Sequence, residues 1–369
     1  MGLLITGSGG PLGVNFTRSI QAAQSGRRLV GTDANRWHLP LSLCDQTYLI
    51  PYASDFDGYC QALNEIAHQE GVSALLPTHP VEVRAVAALR DQGRLGDLGV
   101  ALPSSAVLAI ADDKRATQEM LLAADVPVPK SLRIESRQDI ERAFAELTCV
   151  DSSAFAEDGQ TIWVRGAGAP GLGIGGAALP CRDPDTAIAW VEHHDGWGKM
   201  AASEYLPGTN LTWMAVFGDG VLLAAGARQR LEYVLPHIAP SGVTGAPAVS
   251  RTIETSRVST MGERAVRAID PRPHGSYFVD FKGDLTDSPR VTEINAGRCG
   301  TTVHFYTAAG FNFPMLLAQL ALGLDPQPLV DPNSAIEPDL YWVRTLDCGP
   351  ALVRGDAGFD DYPRAGPRW

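Results

Sequence analysis

The chain has 369 residues, 45% of them hydrophobic and 20% charged, which suffices for two or three domains with a substantial core. A formal charge of −12 excludes a general binder of nucleic acid or anionic membrane, since either needs a basic face, but leaves room for a local basic pocket. No apolar run approaches the roughly 18 residues of a membrane span, and the opening residues lack the basic region and cleavage site of a signal peptide and the setting of a myristoylation signal. The cysteines (Cys44, Cys60, Cys149, Cys181, Cys299, Cys348) are scattered without a C-x-x-C pair, which predicts reduced thiols and a cytoplasmic protein.

Short apolar strands are predicted at 3–5, 29–31, 75–77 and 100–102, with helices over 12–25, 56–70 and 80–91. Strands alternating with helices predict a Rossmann-like α/β domain with a parallel sheet over residues 1–105, bounded near Pro103-Ser104-Ser105. The turn from Thr6 to Gly13 leaves a strand and opens a helix, and Asp33 ends the next strand. That is a dinucleotide fingerprint, with an acid placed for a ribose hydroxyl. Reductases with this loop also need Tyr-x-x-x-Lys, whereas Tyr277 is followed four residues later by Phe281. The turn is therefore read as close strand-to-helix packing. His79 and Glu82 follow the third strand, at the carboxyl edge where ligands gather in such sheets, and are candidate acceptor-site residues.

A helix over 113–124 begins at Asp112-Asp113-Lys114 and is stopped by Val126-Pro-Val-Pro129; Lys114, in its first turn, is placed to reach a phosphate. Residues 131–205 alternate strands (132–134, 161–164, 201–205) with helices from Asp139 and Asp185, and His193 and His194 read as a solvated helix end. The strand Trp163-Val164-Arg165 ends in a cation and runs into Gly166–Gly176, where six of eleven residues are glycine. Flanked by strands, this stretch reads as a loop whose N–H groups cradle phosphates. A hairpin over 211–227 turns at Gly218-Asp219-Gly220, and Arg228 and Arg230, two apart on a strand, share a face and can clamp a carboxylate. A helix over 256–269 precedes a second hairpin from Ser276 to Arg298. There Glu293 and Asn295 project from one face, and pairing brings Asp280 to them. Two carboxylates and an amide carbonyl suit a hard divalent cation, and magnesium held this way usually also binds substrate phosphates. A helix covers 312–323, and the tail after 350, rich in Gly, Pro, Asp and Arg, has little to pack with and is expected to be mobile at its end.

The order of these features resembles the ATP-grasp superfamily preceded by its Rossmann-like domain, and within it one synthetase half of the carbamoyl phosphate synthase large subunit. The likeness covers about residues 1–325. Arg165, where many such enzymes have Lys, and the loop His237–Pro247 fit that branch. The resemblance implies a small or lid subdomain over 106–205, a large subdomain with the metal site over 206–330 and a C-terminal extension over 331–369. It implies that Lys114 and Arg165 bind ATP phosphates under the loop of Gly171, Gly173 and Gly175. Glu204 takes the adenine amino group and the backbone of Tyr205 and Leu206 edges the base. Asn210 stands where a ribose-binding Glu is usual. Asp280, Glu293 and Asn295 hold magnesium, or manganese in its place. Arg298, shifted one residue from the family's arginine after Glu-x-Asn-Pro, serves the transferred phosphate, and His237, with Arg228 and Arg230, serves the acceptor. The implied activity is phosphorylation of a small-molecule carboxylate to an acyl phosphate that an amine, or less often a thiol, captures, with release of ADP and phosphate. Related enzymes are often dimers, so a homodimer is implied. Three alternatives stand beside it: a catalytically silent nucleotide-binding module, carbamoyl phosphate chemistry (which needs a second phosphorylating site and an ammonia source) and an NAD(P)-dependent reductase.

Overall fold

The computed structural model describes residues 2–148, 160–166, 177–243, 245–346 and 351–355. Its first sheet is parallel, in the order β3-β2-β1-β4, from β1 (Gly2–Thr6), β2 (Leu29–Asp33), β3 (Gln46–Leu49) and β4 (Val72–Pro77). Every residue of β1 and β2 is buried, as continuous apolar strands covered on both faces must be. Helices α2 (Phe56–Glu70) and α3 (Pro80–Asp91) pack Tyr59, Leu63 and Val86 against Leu4, Val30 and Leu75. On the other face α1 (Pro11–Ala22) packs Phe16 and Ile20 against Leu3, Ile5 and Leu76.

The glycine turn is explained by that packing. A Cβ on Gly9 would stand 2.0 Å from the His38 carbonyl oxygen, and one on Gly13 2.1 Å from that of Gly7. Asp33 accepts hydrogen bonds from the N–H groups of Gly9 (3.3 Å) and Asn35 (2.9 Å), closing the turn from within.

The helix expected over 113–124 is α5 (Lys114–Ala123), and a further short helix, α4 (Ser105–Asp112), precedes it. Asp113 breaks the run because its carboxylate turns back to accept from the N–H groups of Arg115 (2.9 Å) and Ala116 (3.1 Å), capping α5. Beyond them β5 (Ser131–Ile134), β6 (Ile162–Gly166), β7 (Leu179–Cys181) and β8 (Met200–Glu204) form an antiparallel sheet ordered β5-β8-β6-β7. Helices α6 (Arg137–Leu147) and α7 (Pro184–His193) give it a separate core of Ile140, Val191, Ile162 and Met200.

The third sheet is antiparallel and has seven strands in the order β13-β12-β9-β10-β11-β14-β15. They are β9 (Asn210–Gly218), β10 (Val221–Tyr233), β11 (Pro247–Ile253), β12 (Gly275–Gly283), β13 (Pro289–Ala296), β14 (Leu340–Val343) and β15 (Ala351–Arg354). Helix α8 (Ser259–Ile269) covers one face with Ala265 and Val266, beside Trp213, Phe217 and Phe281. Helices α9 (Val303–Ala308) and α10 (Phe313–Ala321) lie toward the other, where Phe305, Tyr306 and Leu317 share a core with Met214, Val216 and Trp342 and also with Leu3 and Ile5. The first and third sheets are therefore welded through common apolar clusters.

One expected strand is absent, one strand was not expected, and the large sheet runs on past residue 330. Residues 100–102 are not a strand: pairing is limited to one bridge between Ala74 and Gly99, after which Arg90 takes the carbonyls of Leu102 (2.6 Å) and Pro103 (2.8 Å). Strand β3 was not foreseen because Gln46–Leu49 is an edge strand with no alternating burial. Within the stretch from 331, β14 pairs with β11 and β15 with β14, so the large sheet continues past residue 330. The end of the tail, 356–369, lies outside the described residues.

If close backbone approach is why Gly9 is glycine, Gly9→Ala loses about 1–3 kcal/mol of stability, the usual range for overpacking, as measured by urea unfolding. An unchanged midpoint would contradict the packing account.

Candidate active site

Asp280 is the centre of a polar patch on the large sheet. It sits in β12 opposite Thr212 of β9 and opposite Glu293 of β13, and Arg228 of β10 lies opposite Thr212. Register partners project from the same face, so carboxylates and cations are aligned across four adjacent strands. Asn295 and Phe278 face each other two residues along, on that same face. Asp280 is only 8% exposed; the Thr212 hydroxyl donates to its Oδ1 at 2.7 Å, and Arg230 Nη2 lies 3.4 Å from the same oxygen. Asn295, equally buried, accepts from Arg298 through its side-chain oxygen. The hairpin thus brings Asp280, Glu293 and Asn295 together as expected, with Arg230 and Arg298 drawn in beside them.

Those residues fit a hard divalent ion such as magnesium. The donors are all oxygen, and guanidinium groups rest against two of them, which shows that the spot favours positive charge. Among the described residues there is no cluster of three His, Cys, Asp or Glu, so an ion here would meet two carboxylates and one amide from the protein. That suits an ion that also takes phosphate oxygens.

A cleft opens beside Glu293, lined by Lys114 and Gln118 of α5, Arg165 of β6 and Thr292 and Glu293 of β13. The Asp113 cap fixes Lys114 as the first residue of α5, and Arg165 extends from the penultimate position of β6. Burial pushes the Lys114 ammonium below its ordinary pKa, the Arg165 charge pushes it further and Glu293 pulls it back. Burial likewise lowers the Arg165 guanidinium, and Glu293 again opposes the shift. Two desolvated cations facing one carboxylate make a place for an anion.

Of the remaining candidates, Glu204 ends β8 across from Ile162, with its N–H donating to the Lys130 carbonyl at 3.0 Å. Tyr205 follows, its ring 6.3 Å from that of Trp163, and Leu206 is buried. Asn210 opens β9 between Arg230 and Lys282. His237 is exposed on a short turn, Pro236–Ile238, and no hydrogen bond among the described residues ties it to the Asp280 patch. Gly171, Gly173 and Gly175 lie outside the described residues. Sequence reasoning missed Thr212, Thr302 and Arg344. Thr212 is one alternating residue of a buried strand, and Arg344 lies just past β14, which had not been recognised as part of this sheet. Arg228 bonds the Thr302 hydroxyl, and Arg344 lies 3.4 Å from that of Thr301.

At the edge of the parallel sheet, His79 caps α3 by accepting from Val81 N–H at 3.4 Å. Burial and the charge of Arg298 hold its imidazole below the ordinary pKa. Glu82 is 6% exposed and lies beneath the glycine turn, where a Cβ on Gly7 would meet its Oε2 at 2.8 Å. Burial, with help from Asp33, pushes its carboxyl up to about 7.

No family model matches the sequence, and no curated protein matches it. Solved structures do. The biotin carboxylase domain of the Hydrogenobacter thermophilus 2-oxoglutarate carboxylase superposes with a TM-score of 0.65 at 15% identity, covering 92% of this chain and 73% of that one. The N5-carboxyaminoimidazole synthetase from Staphylococcus aureus gives 0.63 at 15% identity, with 92% and 81% covered. The L-amino acid ligase from Bacillus licheniformis gives 0.60 at 14% identity, with 92% and 78% covered. The chain shares the ATP-grasp fold of these proteins, as its resemblance implied.

The raised Glu82 pKa has a definite sign. Between 4.5, the carboxyl's ordinary value, and about 7, the folded protein keeps a proton that the unfolded chain has lost. Stability therefore falls as pH rises through that window, by about 3 kcal/mol from this group. In Glu82→Gln the fall shrinks by that amount, as read from denaturant unfolding between pH 4.5 and 8; equal slopes in both proteins would refute the assignment.

Proposed function

We propose that the protein is an ATP-dependent ligase that phosphorylates a small-molecule carboxylate and passes the acyl group to an amine. The observation that carries the reading is the register of Asp280 against Glu293 on a face shared with Asn295, Arg230 and Arg298, next to a cleft holding Lys114 and Arg165. The fold common to a biotin carboxylase domain in complex with MgADP, ADP and bicarbonate and to an amino acid ligase supports it.

In this reading Lys114 and Arg165 take the triphosphate, and Glu204 with the backbone of Tyr205 and Leu206 takes the adenine. Asn210 lies within the same strand system, at the start of β9. Asp280, Glu293 and Asn295 hold magnesium, which when bound neutralises phosphate charge. The substrate carboxylate oxygen attacks the γ-phosphorus, the bond to the β-phosphate bridging oxygen breaks and ADP leaves. The amine nitrogen then bonds to the carbonyl carbon, phosphate departs with its bonding pair and the nitrogen gives up its proton to phosphate or solvent. Arg298 and Arg230, already beside the carboxylate and amide oxygens, balance charge on the moving phosphoryl group. Alignment and charge supply the rate, so no side-chain nucleophile is required. Cytoplasmic residence and a homodimer, the form of the 2-oxoglutarate carboxylase domain, belong to the same proposal.

Glu293→Gln is expected to lower carboxylate-dependent ADP release by at least about 100-fold, the scale of losing a preorganised charge at a phosphoryl-transfer site. Its circular dichroism and thermal midpoint should match the parent's. Parental turnover in Glu293→Gln, or no carboxylate-dependent ADP release across a broad panel of acids and amines, would overturn the ligase reading.

A further inference from the structure

Beyond the metal patch, the same face carries a second concentration of positive charge. Arg228 is 5% exposed and bonds the Thr302 hydroxyl; Arg344 donates to the Pro247 carbonyl at 2.9 Å and approaches Thr301 at 3.4 Å. The Nε atoms of Arg228 and Arg230 are buried without a partner among the described residues, and so is the Tyr306 hydroxyl, whose ring lies 5.9 Å from the Arg228 guanidinium carbon. Burial, and after it the charge of Arg228, lowers the Arg344 guanidinium from its ordinary pKa. Arg230 has Asp280 as its counter-ion, but among the described residues no carboxylate pairs with Arg228 or Arg344. Holding a buried Arg228 and a half-buried Arg344 beside neutral threonines is costly unless an anion completes the site.

The charges divide by position. Lys114 and Arg165 serve the triphosphate cleft, and Arg230 and Arg298 flank the metal ligands, where the reacting carboxylate must lie. Arg228 and Arg230 share β10, two strand spacings, roughly 10 Å, from β12, but Arg230 leans to Asp280, whereas Arg228 turns to Thr302 and Arg344 approaches the neighbouring Thr301. The loop that leaves β13 at Arg298 also supplies Thr301 and Thr302, so one segment spans both positions.

We infer that Arg228, Arg344, Thr301 and Thr302 form a subsite for a second oxyanion on the substrate, separate from the carboxylate that is phosphorylated. This rests on the ligase reading and narrows it: the acid is a dicarboxylate or a carboxylate bearing a phosphate, and the forked guanidinium groups read the remote oxyanion.

The test is ADP release with ATP, magnesium and hydroxylamine as the amine, comparing succinate with propionate, and aspartate and O-phosphoserine with alanine. The dianionic acids are expected to have kcat/KM at least about 30-fold above their monoanionic counterparts, the worth of a charge-assisted hydrogen bond pair. Arg344→Gln should bring that ratio close to one, and Arg344→Lys, which keeps the charge but loses the fork, should leave it intermediate. Aspartate against O-phosphoserine tells which oxyanion is preferred. Calorimetric titration of succinate and of inorganic phosphate into the nucleotide-free protein reads the subsite without turnover, and binding should weaken by the same factor in Arg344→Gln. Equal use of monoanions and dianions, or a ratio and a titration unmoved by both variants, would overturn the subsite while leaving the ligase reading intact. If no acid of either kind releases ADP, the ligase reading fails, and unaltered succinate and phosphate titrations in the variants would then reject the subsite independently.

Discussion

A desolvated carboxylate must find cations or leave the interior, and Asp280 is that carboxylate here. It sits in the second strand of a seven-stranded sheet, held by the Thr212 hydroxyl and faced by Arg230. The neighbouring strands meet the same constraint: Glu293 lies directly across, and Asn295 is tied to Arg298. Polar groups at such positions are costly for stability, so their concentration on one face marks where the fold has given up packing for chemistry.

The rest of the molecule holds that face in place. Trp213, Phe217 and Phe281 anchor the opposite side of the sheet on α8, while Phe305 and Tyr306 tie the polar side to the parallel sheet through Leu3 and Ile5. The small sheet has its own core and contributes Arg165 at the end of β6, facing Lys114 across the cleft. A triphosphate-sized anion between Lys114 and Arg165 would relieve the burial of both cations and link the sheet that carries Arg165 to the one that carries Asp280, Glu293 and Asn295.

Much of this was legible in the chain. The uninterrupted Leu3-Leu4-Ile5 strand and its glycine turn announced a parallel sheet, and the structure bears out the reading of Gly9 and Gly13 as close-packing positions. The Asp280–Asn295 hairpin was visible because period-two spacing needs only local geometry. Edge strands were less visible: β3 has no apolar alternation, β14 pairs with β11, some 90 residues earlier, and β15 pairs only with β14. The start of α5 at Asp113-Lys114 was legible, because a capping aspartate acts locally, whereas the short α4 before it was not foreseen.

By itself, then, the sequence determined the local elements and the chemical kind of each candidate group, because strand period, caps and turn residues act over a few positions. Only the tertiary structure decided which cations share a pocket. Arg344 reaches Thr301 across 43 positions of chain, and Arg228 reaches Thr302 across 74. Such meetings depend on strand order and register in a sheet whose partners are distant in sequence, and no short-range pattern records them.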